Sequence, residues 1–487
     1  MNDSLAMQTK ITLDHSVREL GILADVQIVN TYPYVGETDY NLVMHIWAVH
    51  HKEPVYSIFA LSRKILISET SDHISRPDVK LALGLATEKV GFVLSFSKIA
   101  IASGSDVEIW CKYSFQDSCK FIRLAEVSGL STPAFCSPSR FRQISIVGLG
   151  RSGTTYLCSL LKKHPSICGI GGYPYEFRMA SYFLHLAKIL SSPALHAASM
   201  HPDSFETLMP TTIGHNPYNH PIYFAGIKKP ALSLFINNSV ALSAISMCRS
   251  AIEDLYDVAS RDLSKLDSIF YFEKMQLSPL IFCAENMMNA KTIVLVRDIR
   301  DVYISARNFN AIRRSHSFGR ESCTSDNEWI ASLAKTFNDL HQFCTSYSDS
   351  IHILRFEDLM EHRDEAIAKI LWFIGAKVIH LELSDEERLA LKSTHSTFIN
   401  SKANLPRWFS EDKTPEIQLL KNECYEALNY FNYKAKCPSS ASPIPPPPAL
   451  TLPLSPQRIA LAGNCQVLPL QRWLSFQLPN TKLSVLE

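Results

Sequence analysis

Between residues 22 and 127, hydrophobic residues tend to alternate with polar ones, which is typical of β-strands with one buried face. Val90, Phe92, Leu94 and Phe96 show the alternation most clearly. Five strands are predicted, at 41–49, 54–61, 89–96, 106–113 and 120–126. Strands at this density without intervening helices predict a β-sandwich accessory domain over 22–127, behind an N-terminal tail of residues 1–21. Trp47 and Trp110 are candidates for sugar contact, although a place in the core is more typical.

After a linker at 128–140, the pattern changes to apolar strands followed by helices. Ile144, Ile146 and Val147 predict a short buried strand, and leucines recur behind it at helical spacing. Further strands are predicted at 292–296 and from residue 351, with helices at 329–347, 366–374 and 425–433. For residues 141–436 this order predicts an α/β fold, a P-loop-like parallel sheet flanked by helices and preceded by the β-sandwich.

The C-terminal stretch is predicted to be separate. Residues 437–456 are rich in proline and predict an extended linker. In 457–487 a strand runs into a turn at Gly463-Asn-Cys-Gln466, which resembles the opening of a capsule-polysaccharide biosynthesis domain. About 30 residues are too few to bury a hydrophobic core, and this segment is therefore expected to be the incomplete start of a domain. Cys465 is not expected to act as a nucleophile there.

Composition restricts the class of protein. The net charge of +1 over 487 residues gives no global basic field, so nucleic acid is not an expected partner. The 12 cysteines lack paired CxxC spacing and are expected to be reduced thiols. No signal peptide and no apolar run long enough to cross a bilayer is visible. These features predict a soluble, cytoplasmic, bacterial enzyme.

The glycine-rich turn at 148–153 lies between a strand and a helix and predicts a site for a phosphate-like anion. Gly148 and Gly153 fit the nucleotide-triphosphatase pattern G-x-x-x-x-G-K-[ST], but Thr154 stands where the lysine should be. The cation lies inside the loop instead, at Arg151. Since the lysine and magnesium serve the crowded charge of a triphosphate, this loop suits a less charged group that needs no metal, such as sulfuryl.

A second candidate anion site lies about 150 residues further on. Arg297 directly follows the apolar strand 292–296, at the end where ligands bind in open α/β sheets. Ser305 follows eight residues later, close enough to share one anion with Arg297. Arg300 and Asp301 between them are expected to form a supporting ion pair.

Together the two motifs resemble those of sulfotransferases that use 3′-phosphoadenosine-5′-phosphosulfate (PAPS). Gly150-Arg-Ser-Gly-Thr-Thr155 resembles their 5′-phosphosulfate loop, most closely that of the carbohydrate sulfotransferases, and Arg297-x7-Ser305 resembles their 3′-phosphate pair, with Ile299 in place of a proline. The resemblance implies PAPS as co-substrate, 3′-phosphoadenosine-5′-phosphate (PAP) as product, no metal, and a carbohydrate or glycan acceptor. The implied PAPS-binding residues are Gly150, Arg151, Ser152, Gly153, Thr154, Thr155, Arg297 and Ser305.

The same resemblance implies the catalytic residues. Glu176 stands where these enzymes have the acid that removes the acceptor's proton, and Arg151 is the second candidate catalytic residue. His185 is a reserve base, and Lys228 fits a Lys-x-Pro element that faces the sulfuryl group.

Three further segments are interpreted through the same resemblance. Glu357 and Asp358, in Arg355-Phe-Glu-Asp-Leu359, are expected to be structural. Arg407 and Trp408 resemble the basic-aromatic segment that covers the nucleotide. The histidines at 200–225 lack zinc spacing and indicate a substrate-facing loop.

Two alternatives stay open at the level of sequence. A phosphotransferase with an atypical loop would require Mg²⁺ or prefer ATP to PAPS. A non-catalytic module of polysaccharide assembly would not bind PAPS. Neither the acceptor nor the oligomeric state follows from the sequence.

Overall fold

The computed structural model describes residues 9–28, 37–50, 52–71, 73–115, 118–131, 133, 139–170, 175–192, 235–314, 318–320, 323, 325–395, 406–433, 459–462 and 483–486. The chain divides into two units, Met1–Ser440 and Ala441–Glu487. Lys228, the histidine-rich residues 201–220, the 437–456 linker and Cys465 lie outside the described residues, so their interpretation stays a prediction.

The N-terminal part of the first unit consists of two antiparallel sheets. Its elements are β1 (Lys10–Leu13), β2 (Ile22–Ile28), β3 (Asn41–His50), β4 (Val55–Ser62), β5 (Ile65–Thr70), β6 (His73–Ser75), α1 (Pro77–Leu83), β7 (Lys89–Ser97), β8 (Val107–Phe115) and β9 (Ser118–Ser128). One sheet has the order β1-β9-β8-β4-β5 and the other β2-β3-β7-β6. The five predicted strands are confirmed, and the preceding β-domain is present; its exact boundaries stay a prediction.

The two sheets share one hydrophobic core, to which Phe92 and Leu94 contribute from one sheet and Ile58 and Ile109 from the other. Strand β7 is buried on both faces, so Val93 is also covered. Trp110 is not in this core, because it lies on the opposite side of β8 from Ile109 and stacks against Phe59. For Trp110 the expectation of a core position was therefore wrong.

The remainder of the first unit is an α/β fold around one parallel sheet. Its elements are β10 (Arg142–Val147), α2 (Thr154–Leu161), β11 (Ile167–Cys168), α3 (Met179–Ser191), α4 (Ala241–Asp262), β12 (Phe270–Met275), α5 (Leu280–Met288), β13 (Lys291–Val296), α6 (Ile299–Arg313), α7 (Asp326–Ser346), β14 (Ile351–Arg355), α8 (Phe356–Glu361), α9 (Arg363–Ile374), α10 (Asp385–His395), α11 (Pro415–Glu423) and α12 (Tyr425–Tyr430). The strand order β11-β12-β10-β13-β14 is parallel throughout, and helices flank the sheet, as the sequence predicts.

This order determines where the site forms. Strands β10 and β13 are direct neighbours, with Val147 opposite Val294, and β12 lies on the other side of β10 with Met275 opposite Val147. The carboxyl ends of these three strands therefore meet at one edge of the sheet. In the second unit, β15 (Ile459–Ala462) pairs in parallel with β16 (Leu483–Leu486).

The β-domain packs directly on the helices of the α/β part. Ser97 and Ser191, at the end of α3, share a hydrogen bond of 2.5 Å between their hydroxyl oxygens. The Asn286 side chain in α5 donates to the carbonyl oxygens of Ile99 and Ile101 at 2.9 and 2.8 Å. Buried polar contacts of this kind fix the orientation of two elements, because leaving either partner unsatisfied is costly.

Candidate functional site

The glycine-rich loop connects β10 to α2 and leaves the start of that helix open. Gly153 is the residue before the helix and has φ = 94°, and in the described part of the chain no side chain caps the helix at this position. A Cβ at Gly153 would lie 2.4 Å from Cδ2 of Phe356, so glycine is required for both backbone angle and space. The N–H groups at an uncapped helix start carry partial positive charge and can bind an anion.

The second motif follows β13. Arg297 lies just past the last residue of the strand and is only 8% exposed. The Asp298 side chain accepts from the backbone N–H of Arg300 at 3.0 Å and thereby starts α6. Ser305 is buried on the second turn of this helix. The sheet edge and a capped helix thus fix the residue pair that the sequence singled out.

The structure brings the two motifs into direct contact. Arg151 Nε lies 3.3 Å from the hydroxyl oxygen of Ser305, to which it donates. Arg297 Nη1 donates to the carbonyl oxygen of Arg151 at 3.0 Å. The loop and the Arg297–Ser305 pair therefore adjoin each other, as expected for motifs that follow the neighbouring parallel strands β10 and β13.

A third guanidinium joins these two. The carboxylate of Asp301 accepts from the backbone N–H groups of Arg407 and Trp408, at 2.8 and 3.1 Å, and thereby holds this distant segment against α6. Burial, together with the positive charges of Arg297 and Arg151, lowers the pKa of Arg407 to about 10. The three guanidiniums therefore act on one another electrostatically. We call Arg151, Arg297 and Arg407 the arginine cluster.

One buried donor of the arginine cluster lacks a partner among the described residues. Asp301 lies 3.7 Å from Arg297 and forms an ion pair with it. The pKa of Asp301 is raised, mainly because the carboxyl group is buried. The Nε of Arg297 is buried and has no hydrogen-bond partner among the described residues. A buried guanidinium donor without a partner is a group that a bound phosphate would satisfy.

The expected ion pair between Arg300 and Asp301 is wrong. Arg300 instead pairs with Asp298, with nitrogen–oxygen distances of 2.8 and 2.6 Å, and donates to the carbonyl of Tyr433 at 2.8 Å. Its guanidinium also lies 3.7 Å from the ring centre of Trp408. The physical reason is that Asp298 turns back to cap the helix and meets Arg300, whereas Asp301 is engaged by the backbone of the Arg407 segment.

Glu176 lies beside the start of α2, and Lys274 connects the two. The Lys274 ammonium, at the end of β12, donates to the hydroxyl of Thr155 at 2.8 Å and to the carboxylate of Glu176 at 3.0 Å. Burial acts to raise the pKa of Glu176, but Lys274 and Arg178 outweigh it, so the pKa is lowered and the side chain is ionised at neutral pH. Lys274 was not among the residues predicted from the sequence; the available signal was the charged pair Glu273-Lys274 within the buried strand Phe270–Met275.

The remaining predicted residues take supporting or unassigned positions. Glu357 accepts from the hydroxyl of Tyr433 at 2.7 Å, and burial raises its pKa, as befits a structural group. His185 is half-buried in α3. Trp408 is 3% exposed, with its ring against Arg300. That Arg407 and Trp408 cover a bound nucleotide stays a prediction.

The described residues contain no group of three or more side chains that could hold a metal ion. Over the same residues, none of the helices has the length and apolar character needed to span a membrane.

Comparison with known proteins found one matching family model. Residues 231–425 match the family model described as "Sulfotransferase domain". The match covers Lys274, Arg297, Ser305 and Arg407 and begins after the glycine-rich loop. It supports sulfotransfer as the general class of reaction. A comparison with curated proteins found no match.

Several solved structures are also similar. The sulfotransferase domain from the curacin biosynthetic pathway has 15% identity and covers 62% of this chain and 99% of its own, with a TM-score of 0.31. A sulfotransferase from Alicyclobacillus acidocaldarius has 13% identity, 60% and 97% coverage and a TM-score of 0.28. Mouse sulfotransferase SULT7A1, complexed with PAP, has 11% identity, 60% and 86% coverage and a TM-score of 0.28.

Proposed function

We propose that this protein is a sulfotransferase that moves a sulfuryl group from PAPS to a hydroxyl of a carbohydrate or glycan, and that it works in the cytoplasm. The observation that carries the proposal is the contact between the two anion-binding motifs, through Arg151, Ser305 and Arg297. A bisphosphorylated adenosine has an anionic group at each end, and two adjoining cradles suit such a ligand. The family match supports sulfotransfer independently of the loop, because it lies downstream of it.

The 5′-phosphosulfate is assigned to the start of α2. Backbone N–H groups from Gly150 to Thr155 and the hydroxyls of Ser152, Thr154 and Thr155 are the proposed donors. The open helix start supports this assignment, since it supplies N–H groups and partial positive charge. PAPS, as the donor substrate, supplies the activated sulfuryl group.

The 3′-phosphate is assigned to Ser305 and the arginine cluster. The residues fit this group, because guanidinium and hydroxyl donors adjoin there and the Nε of Arg297 lacks a partner in the described part of the chain. Arg151 is proposed to serve both ends of the ligand, with its backbone in the loop and its guanidinium beside Ser305. The charge that builds up during transfer lies on the 5′-phosphate, so the backbone of Arg151 and the other N–H groups of the loop are suited to stabilise it.

Glu176 is the proposed base. The acceptor oxygen attacks sulfur as Glu176 takes its proton, the bond from sulfur to the phosphate oxygen breaks, and PAP leaves with the electron pair. Lys274 bridges Glu176 and Thr155, and this contact supports a base at the phosphosulfate end of the site. Because Lys274 is buried and cationic, it is also suited to stabilise the transferring group.

Calorimetric titration with PAP tests the donor assignment. The wild type is expected to bind with micromolar affinity, and Arg297→Ala to bind at least tenfold more weakly, because it loses charge-assisted hydrogen bonds worth about 1.5–3 kcal/mol. Arg388→Ala is the matched control, since it removes the same charge from an exposed arginine on α10. Equal affinity in wild type and Arg297→Ala would remove the 3′-phosphate assignment.

Transfer of radioactive sulfur from labelled PAPS to a panel of monosaccharides, oligosaccharides and phenols tests the acceptor class. We expect label on the sugars and not on the phenols. Tighter binding of ATP than of PAP, together with turnover that requires Mg²⁺, would favour a phosphotransferase. A folded protein that binds neither nucleotide would favour a non-catalytic module.

A further inference from the structure

A second acidic residue lies directly behind the proposed base. Glu273 precedes Lys274 on β12 and is 2% exposed. Successive residues on a strand point to opposite faces, so Lys274 points to α2 while Glu273 points to the other side of the sheet. There its carboxylate accepts from the backbone N–H of Ser181 at 3.1 Å and from the hydroxyl of Tyr256 at 3.4 Å.

The contact with Glu273 provides a cap for the start of α3, which has no side-chain cap of its own among the described residues. In the described part of the chain, Arg178 precedes α3 without any side-chain hydrogen bond that caps the helix, and the first turn contains no acidic residue. The first N–H groups of a helix have no partner within it and carry partial positive charge. The carboxylate of Glu273 reaches them from the sheet, at Ser181 and also at Ala180.

We propose that Glu273 is a positioning residue for the reaction: it holds the start of α3 so that Glu176, three residues before the helix, lies at the phosphosulfate end of the site. Two adjacent residues of β12 then fix the segment from Glu176 to Ser181, since Lys274 binds one end and Glu273 the other. At its far end, α3 is tied to the β-domain through Ser191 and Ser97. The inference rests on the proposed role of Glu176 as the base.

The energetics separate positioning from simple stabilisation. Burying a carboxylate is costly, and replacing it with a neutral group of the same shape commonly leaves a protein as stable or more stable. If Glu273 had no positioning role, Glu273→Gln would leave turnover unchanged. If it positions Glu176, the same substitution removes the charge-assisted hold on the helix start and slows turnover above about pH 7, the pKa to which burial raises Glu273. A displacement of about 1 Å at a reacting group is enough to cost ~10²-fold.

The test compares Glu273→Gln with Glu285→Gln. Glu285 is the control because it is a half-buried carboxylate that also has a tyrosine donor, Tyr347, but lies on α5. For Glu273→Gln we expect an unchanged or higher melting temperature, a PAP dissociation constant within about twofold of wild type, and kcat about tenfold lower on a sugar that the wild type sulfates. Hydrogen exchange at the first-turn amides of α3 is expected to be faster in this variant only.

Unchanged kcat in Glu273→Gln, unchanged hydrogen exchange at α3, or an equal loss of kcat in Glu285→Gln would each overturn the positioning role. A wild type that does not bind PAP would instead overturn the proposed function. Hydrogen exchange needs no turnover, so it still shows whether Glu273 caps α3 in that case.

Discussion

The guanidinium of Arg297 donates a hydrogen bond to the carbonyl oxygen of Arg151, and the two atoms are 3.0 Å apart. This bond links the glycine-rich loop after β10 to the end of the neighbouring strand β13. Since Arg151 also reaches back to Ser305, the loop and the start of α6 are held by two contacts in opposite directions. A ligand group bound at either motif therefore lies against residues of the other, and the two behave as one site.

The Ser305→Ala variant tests which end of the ligand this serine serves. If its hydroxyl binds the 3′-phosphate, the substitution weakens PAP binding about tenfold, the cost of one hydrogen bond to a charged group. It leaves the affinity for adenosine 5′-phosphate unchanged, because that ligand lacks the 3′ group. Calorimetry with both nucleotides gives the comparison.

Ser260→Ala is the control for Ser305→Ala. Ser260 is an equally buried helical serine whose hydroxyl donates to the carbonyl of Asp257 at 2.9 Å. The Ser260→Ala variant is expected to bind both nucleotides with the affinity of the wild type. The same loss for both nucleotides in Ser305→Ala would argue against a 3′-specific contact.

The Lys274→Met variant tests the environment of the base. Activity requires ionised Glu176, so it falls as the pH drops through the pKa of that group. In the wild type this pKa lies below its ordinary value, because Lys274 and Arg178 outweigh burial. Without Lys274, burial counts for more and the pKa rises, so the acidic limb of the pH–rate profile moves to higher pH. At its optimum, kcat is expected to fall about 10²–10³-fold.

Lys335→Met provides the control for Lys274→Met, since Lys335 pairs with Asp339 on the exposed side of α7. Its pH–rate profile should coincide with that of the wild type. If the acidic limb of Lys274→Met stayed where the wild type has it, Glu176 would not be the titrating base.

How far the site could be predicted depends on how local each contact is. The loop from Gly150 to Thr155 and the Arg297–Ser305 pair are short patterns within single strand-to-helix turns, so their spacing was visible in the sequence. Lys274 enters through β12, and no local pattern brings it to the site. Arg407 lies more than 100 residues after Arg297 and was singled out only through the family resemblance. Arg300 was paired with the wrong aspartate because the capping role of Asp298 depends on its backbone angles.

The same distinction applies to the fold. Strong alternation in 89–96 and the apolar run 292–296 predicted their strands closely. Short strands such as β1 and β6 pair only at a sheet edge and leave little hydrophobic signal. The helix predicted to begin at residue 366 begins at Arg363, behind the separate helix Phe356–Glu361, because polar first-turn residues carry no apolar periodicity.

Glu273 predicts how stability depends on pH. Burial is the main cause that raises its pKa from 4.5 to about 7 in the folded protein. The folded state therefore binds this proton more tightly than the unfolded state, so stability is full below about pH 4.5 and falls as the pH rises to 7. The contribution is about 3 kcal/mol. Glu273→Gln should lack this slope when the free energy of urea unfolding is measured between these pH values.

The titratable groups around Glu273 do not account for this dependence of stability on pH. Tyr256 on α4, Tyr271 on β12 and Cys168 on β11 face this region, and burial raises the pKa of each well above 7. Lys274 lies on the opposite face of the strand. The Glu285→Gln control should keep the Glu273 contribution, and an identical slope in wild type and Glu273→Gln would assign the titration to another group.

The Gly153→Ala variant tests whether the shape of the loop is what binds the nucleotide. Gly153 has φ = 94°, and an added Cβ would meet the ring of Phe356. Strain of about 1–3 kcal/mol and this collision are expected to deform the loop and weaken PAP binding more than a hundredfold.

Gly375 is the matched control, because it also has positive φ, 78°, but a Cβ there would have nothing within 4 Å. Gly375→Ala should destabilise the fold by about 1–2 kcal/mol in urea and bind PAP normally. Equal PAP affinity in the two variants would mean that the loop does not hold the ligand.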